Sequence, residues 1–258
     1  MVLPLHWHTE PLLVLTFVAA VWLHAMACGP LRQRLAPGSA YPVGAAVRFH
    51  LGALAAYVAV GSPLDQLGEG YLFSAHMLQH MLLIYVAAPL IASGIPAELL
   101  DPWLGRSPRA RRVLALVTHP VPAAAVFTLL FSCWHFPELY EWALADRTVH
   151  VIEHWTIFLP ALLLAWPLVS RSRVLPPLTH GKAILYSVAL MVADLPLWAA
   201  LIFGDQPLYD TYRLAPRLID LGPLQDQVLG AACMKLFNEG FSLWHMALAF
   251  MAWYRAER

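Results

Sequence analysis

YLFSAHMLQHMLLIYVAAPLIAS, residues 71–93, contains no Asp, Glu, Lys or Arg. As one helix it is long enough to cross a hydrocarbon core of about 30 Å. Within it lies His76-Met77-Leu78-Gln79-His80, and the chain repeats the pattern as His150-Val151-Ile152-Glu153-His154 at the start of another apolar run. Both read H-x-x-[Q/E]-H. With about 3.6 residues per turn, the two histidines of each pair share one helix face, and Gln79 or Glu153 lies close beside them. Polar groups at such depth are costly unless they bind something, so the pairs mark a site.

Working outward, 60% of the 258 residues are hydrophobic and 12% are charged. An ordinary soluble domain carries roughly 25% charged residues. Seven spans follow, at 11–28, 43–60, 72–93, 113–133, 150–169, 183–203 and 227–253, in one membrane domain over 1–258. The expected fold class is all-α, a polytopic membrane protein built as a seven-transmembrane-helix bundle. The apolar runs are continuous, where a β-barrel would show alternation. Net charge is zero, which gives no nucleic-acid surface. Three cysteines make no disulfide framework. The first apolar run lacks a basic flank and reads as a span, not a cleavable signal. Pro30, Pro37 and Pro42 punctuate the first connection, and Pro63, Gly68 and Gly70 the second. Pro89 and Gly94-Ile95-Pro96 are expected to close the third span.

Lys and Arg set the orientation. Arg32 and Arg34 lie in the first connection, Arg106, Arg109, Arg111 and Arg112 in the third, and Arg171, Arg173 and Lys182 in the fifth. The second connection has only Asp65 and Glu69, and the fourth sets Glu138, Glu141 and Asp146 against Arg147. The N-terminus is therefore expected outside and the C-terminus in the cytoplasm. Spans three and five then start outside, and span four ends there at Cys133-Trp134-His135-Phe136-Pro137. His76, His80, His135, His150 and His154 become the candidate metal ligands, at one end of the bundle. Connection 204–226 is long enough to cover that end.

Imidazole suits copper, zinc, iron and haem alike. Gln79 and Glu153 are candidate ligands, or partners that fix a ring tautomer. Asp194, before Leu195-Pro196 on span six, and Lys235 and Glu239, one turn apart on span seven, form a second polar group at or below the histidines' depth. An ion pair Asp194–Lys235 or Lys235–Glu239 would neutralise it, and Pro196 should kink span six. His24, His50, His119 and His245 are read as hydrogen-bonded structural residues. Glu153 within H-x-x-E-H is similar to an inverted zinc-protease motif with a glutamate base. That leaves a zinc-dependent intramembrane hydrolase as one alternative, although the other pair carries Gln79. Haem b held by axial histidines, with electron transfer as the function, is another.

Four segments together carry a family resemblance. They are His76-Met77-Leu78-Gln79-His80-Met81-Leu82-Leu83 with Ala88-Pro89-Leu90, Trp134-His135-Phe136-Pro137-Glu138-Leu139-Tyr140, His150-x-x-Glu153-His154, and Pro207-Leu208-Tyr209 through Pro223-Leu224-Gln225-Asp226-Gln227. On these the chain resembles the seven-span CtaG-type cytochrome c oxidase assembly factors. The resemblance implies maturation of a haem-copper oxidase in a bacterial cytoplasmic (inner) membrane, at the copper-insertion step. It implies copper on His76, His80, His135, His150 and His154, with oxidase subunits as partners and a periplasmic copper chaperone as donor. The expected role is an assembly factor, not a catalyst, with His6 and His8 meeting copper first. Lys235-Leu236-Phe237-Asn238-Glu239-Gly240 departs from the apolar span expected there.

Overall fold

Continuous apolar runs bounded by Pro and Gly give helices, and all regular structure among the described residues is helical. The structure is a computed structural model that describes residues 5–258, so residues 1–4 of the expected domain lie outside the described residues. In order come α1 (Pro11–Cys28), α2 (Arg32–Leu35), α3 (Val43–Gly61), α4 (Pro63–Gly70) and α5 (Phe73–Met81). A π-helical turn over Leu82–Ala87 joins α5 to α6 (Ala88–Ser93). Then follow α7 (Ala97–Arg106), α8 (Pro108–Val117), α9 (Pro120–Trp134), α10 (Pro137–Ala145) and α11 (Arg147–Val169). The chain closes with α12 (His180–Ala193), α13 (Leu195–Ile202), α14 (Asp210–Leu214) and α15 (Pro223–Ala256).

Among the described residues, five helical stretches are long and apolar enough to cross a membrane: α1, α3, Phe73–Ser93, α11 and His180–Ile202. The bent pair α8 and α9 makes a sixth if counted as one span. The expected span 113–133 is thus broken: its two helices meet at 59°, at Thr118-His119 with Pro120 and Pro122 beyond. Two prolines so close deny the helix its backbone donors. The last helix, α15, is 34 residues long, but Asp226, Lys235, Asn238 and Glu239 keep it out of the apolar set. Length and composition therefore carry five or six of the seven expected spans.

Phe73–Ser93 is the central rod: 67% of its apolar window is buried, against 11% for α1. Pro89 lies inside it and does not close it, contrary to expectation. An α-helical Pro89 would press on the carbonyl one turn back. The π turn immediately before it widens the backbone and absorbs that conflict. Small residues let neighbours close on the rod: a Cβ at Gly52 of α3 would come within 2.7 Å of Ile91, and one at Gly230 of α15 within 2.4 Å of Phe73. Gly230→Leu is expected to force α15 away from α5 and to cost about 1–3 kcal/mol of stability by overpacking, measurable as an earlier unfolding midpoint in detergent. Outward, Leu12, Leu15, Val18, Leu185 and Leu236 are exposed, as lipid-facing residues are.

Span six breaks as expected, at Asp194, with Pro196 in the first turn of α13. Two carbonyls at that break are taken up by α15: Lys235 Nζ donates to Met191 O (2.7 Å) and Asn238 Nδ2 to Leu190 O (3.0 Å). The polar segment of α15 thus satisfies backbone carbonyls at the break in the helix beside it. His24 Nε2 lies 3.0 Å from Gly94 O, while His50 and His245 each bond a carbonyl one turn back. His119 accepts from Val121 N (3.4 Å), so all four rings expected to be hydrogen-bonded have a backbone partner.

Candidate metal centre

The two histidine pairs meet because α11 runs in the same direction as the Phe73–Ser93 rod, packed on its π turn and α6, with the rings filling the space between α5 and the first turns of α11. His76 faces His150 (ring centroids 5.4 Å) and, one turn along, His80 faces His154 (5.5 Å). The Nε2 atoms of His76 and His80 are 3.0 Å apart, and Glu153 Oε1 lies 3.8 Å from each. His76, His80 and Glu153 are enclosed to within 1%. Among the described residues, two sets of donor atoms lie here within 4.8 Å of one another: His76, His150 and His154, and His76, His80 and Glu153. Ligands at about 2.0–2.1 Å in a tetrahedral site lie roughly 3.3 Å apart. The spacing found here suits one small ion.

Hydrogen bonds on the far side of the rings set their tautomers. His135 Nδ1 is 2.7 Å from Phe131 O, and a carbonyl only accepts, so Nδ1 carries the proton. His150 Nδ1 is 2.6 Å from Glu69 Oε1. Burial works to raise the Glu69 carboxyl, but the hydrogen bond from His150 comes first among the interactions that hold it below its ordinary value. The carboxylate therefore accepts, and His150 donates from Nδ1. Tyr212 O–H donates to Gly68 O (2.7 Å), which leaves its oxygen to accept from His76 Nδ1 at 3.3 Å. In all three rings Nε2 is then the bare nitrogen, the form that binds metal. The Nε2 atoms of His135, His150 and His154, Nδ1 of His80 and both oxygens of Glu153 are buried with no hydrogen-bond partner among the described residues.

Several elements hold these helices in register. No residue next to α5 caps its N-terminus; Asp226 of α15 does so, accepting from Phe73 N (2.6 Å), Ser74 N (3.2 Å) and Ser74 Oγ (2.5 Å). Connection 204–226 covers the end of the bundle where α5 and α11 start. Its Tyr209 stacks on Tyr140 at 3.9 Å, Tyr209 O–H donates to His135 O (3.0 Å), and Tyr212 pairs with Tyr140 (3.0 Å). All three tyrosines are buried. Gly68 packs so closely that a Cβ would lie 2.9 Å from His76 Cα.

The expected residues separate into three places. His76, His80, His150, His154 and Glu153 come together. His135 sits one aromatic ring away, 6.1 Å from Tyr140, whose ring is 5.2 Å from His76. Asp194, Lys235 and Glu239 form their own group: Lys235 Nζ lies 2.9 Å from Asp194 and 2.8 Å from Glu239, with no hydrogen bond or ion pair to a histidine among the described residues. Both expected ion pairs are present, but they serve α12 and α13, not the rings. Gln79 also points elsewhere than its counterpart Glu153, donating to Asp65 of α4.

Asp65 leads to a second group that sequence reasoning missed. Asp65, Glu69 and His150 bring donor atoms within 4.8 Å of one another. Burial pushes the Asp65 carboxyl up to about 6, against the pull of His150. His8 of the N-terminal segment reaches Asp65 at 3.1 Å and Glu10 at 2.9 Å, and Arg147 reaches Glu10 at 2.5 Å. The His8 hydrogen bond and Arg147 hold Glu10 at about 2, so the Glu10 carboxylate stays ionised through mild acid. The available signal was the spacing of Asp65 and Glu69, one helical turn apart in a connection that holds no Lys or Arg.

A family model described as cytochrome c oxidase caa3 assembly factor matches residues 22–256. No curated protein and no solved structure matches the chain. With nearly the whole length matched, the chain belongs to the cytochrome c oxidase caa3 assembly factor family.

Proposed function

We propose that this assembly factor holds copper in the cluster of His76, His80, His150, His154 and Glu153 and passes it to a subunit of a haem-copper oxidase within the membrane. Copper is the cargo, and the protein makes or breaks no covalent bond in substrate. The observation that carries the reading is the pair of buried, unpartnered Nε2 atoms of His150 and His154 near the two unpartnered carboxylate oxygens of Glu153. Buried polar atoms without partners are costly, and more so in lipid. A bound cation satisfies the donor atoms of one of the two donor sets at once. Closely spaced imidazoles allow ligand exchange without release of free ion. His135 and the tyrosines around it close the cluster off from the end of the bundle.

Ring centroids 4.2–6.5 Å apart leave space for an ion and not for a porphyrin between the helices, which favours copper or zinc over haem b. Glu153 at 3.8 Å from two ring nitrogens stands in ligand position; a hydrolytic base would need a water between it and the ion. This supports delivery over zinc-dependent hydrolysis. The proposed setting is a bacterial inner membrane crossed seven times, with the N-terminus and the cluster on the outer side. A periplasmic copper chaperone would be the donor.

In cells that lack the native gene, complementation with the wild-type chain is expected to restore copper per haem in the purified oxidase. His76→Ala/His80→Ala is expected to leave the oxidase at the level of the deletion strain. Full copper content with that variant would contradict the reading.

A further inference from the structure

We propose that Asp65, Glu69 and His150 Nδ1 form a separate cation-binding station that takes a divalent transition-metal ion at the mouth of the cluster. The order of delivery rests on the proposed function, whereas the station's own binding does not. Two carboxylates and one imidazole present donor atoms within 4.8 Å of one another. Two further polar groups face them. Gln79 is completely buried, and its amide is held on Asp65 with Oε1 unpartnered. His8 Nε2 lies 3.1 Å from Asp65 Oδ2 with no hydrogen bond of its own. His8 thus adds a second imidazole to a donor set of oxygen and nitrogen, and the Gln79 amide N–H holds Asp65 in place. Such a set suits Cu(II) or Zn(II), whereas soft Cu(I) prefers sulfur ligands.

Position gives the station its role. The Glu69 side chain is 35% exposed, whereas His76 and His80 are fully enclosed, so an ion meets the carboxylates first. His150 belongs to both groups. An ion on Nδ1 displaces that proton, which Nε2 or water takes up. When Nε2 binds an ion in the cluster instead, Nδ1 regains its proton and donates to Glu69, as seen here. One ring therefore serves the station and the cluster in turn. With His150 committed to the station, the cluster still keeps His76, His80, His154 and Glu153 as ligands.

The test is copper(II) titration of the detergent-purified full chain, read by elemental analysis after desalting and by electron paramagnetic resonance. Two ions per chain are expected for the wild type. Asp65→Asn/Glu69→Gln should hold one, and His76→Ala/His80→Ala should keep one, with an oxygen-rich signal. Retention of two ions by Asp65→Asn/Glu69→Gln overturns the station. The wild type gives a reading that needs no variant to fold: a single, all-imidazole signal at saturation also overturns it. If His76→Ala/His80→Ala keeps both ions while Asp65→Asn/Glu69→Gln loses one, the station stands and the cluster reading fails.

Discussion

Replacing Lys235 by Met is expected to cost about 3 kcal/mol of stability, the lower end of the range for breaking a buried ion pair. The lower end applies because the three side chains are 18, 19 and 25% exposed. Three losses combine. Asp194 loses a partner at 2.9 Å, Glu239 loses one at 2.8 Å, and Met191 O loses the donor that covers the break between α12 and α13. Two carboxylates would then share an apolar stretch with no cation between them. Unfolding in detergent should show a markedly lower midpoint for Lys235→Met. Replacing Asp194, Lys235 and Glu239 together by Leu, Met and Leu should recover most of that loss, because no unpaired charge remains. A triple variant as unstable as Lys235→Met would place the cost in lost packing, not in unpaired charge. Copper binding should be unaffected by the triple change, since no ion pair links this group to the histidines.

Helix positions and depth were legible in the sequence because lipid imposes them. The span expected at 11–28 is α1 to the residue, and 43–60 differs from α3 by one. Which helices are neighbours was not legible. Periodicity places His76 and His80 on one face but does not say that α11 lies alongside with His150 and His154 at the same height. Pro89 misled because a π turn lets a proline stay within a span, and nothing in the composition of 82–87 announces that turn. The segment 63–70 read as a connection because it is polar and rich in Gly, yet it folds as α4, with Ser62 accepting from Leu64 N at its start. Its two acids therefore counted as topology signals when they belong beside His150. The repeated motif also suggested equal roles for Gln79 and Glu153. The structure separates them, because α5 packs on α4 and turns Gln79 to Asp65, while Glu153 faces the rings.

The larger effect expected on function concerns metal. His76 and His80 together contribute to both ligand sets of the inner cluster, so removing both rings leaves no set of three donors there within reach of one another. His150 and His154 alone provide two imidazoles, with Glu153 separated from its closest partners. The histidines must also be neutral to bind, so copper retention should fall in acid, where protons compete for imidazole. His76→Ala/His80→Ala should keep its fold, because Asp226 caps α5 through the backbone and Ser74, and those bonds do not involve the rings.

The most direct test of the central claim is elemental analysis of copper in the purified wild type and in His76→Ala/His80→Ala, after identical loading and desalting at neutral pH. The variant is expected to lose the copper of the inner cluster, at least half of the wild-type content. Equal copper in the two proteins would contradict it.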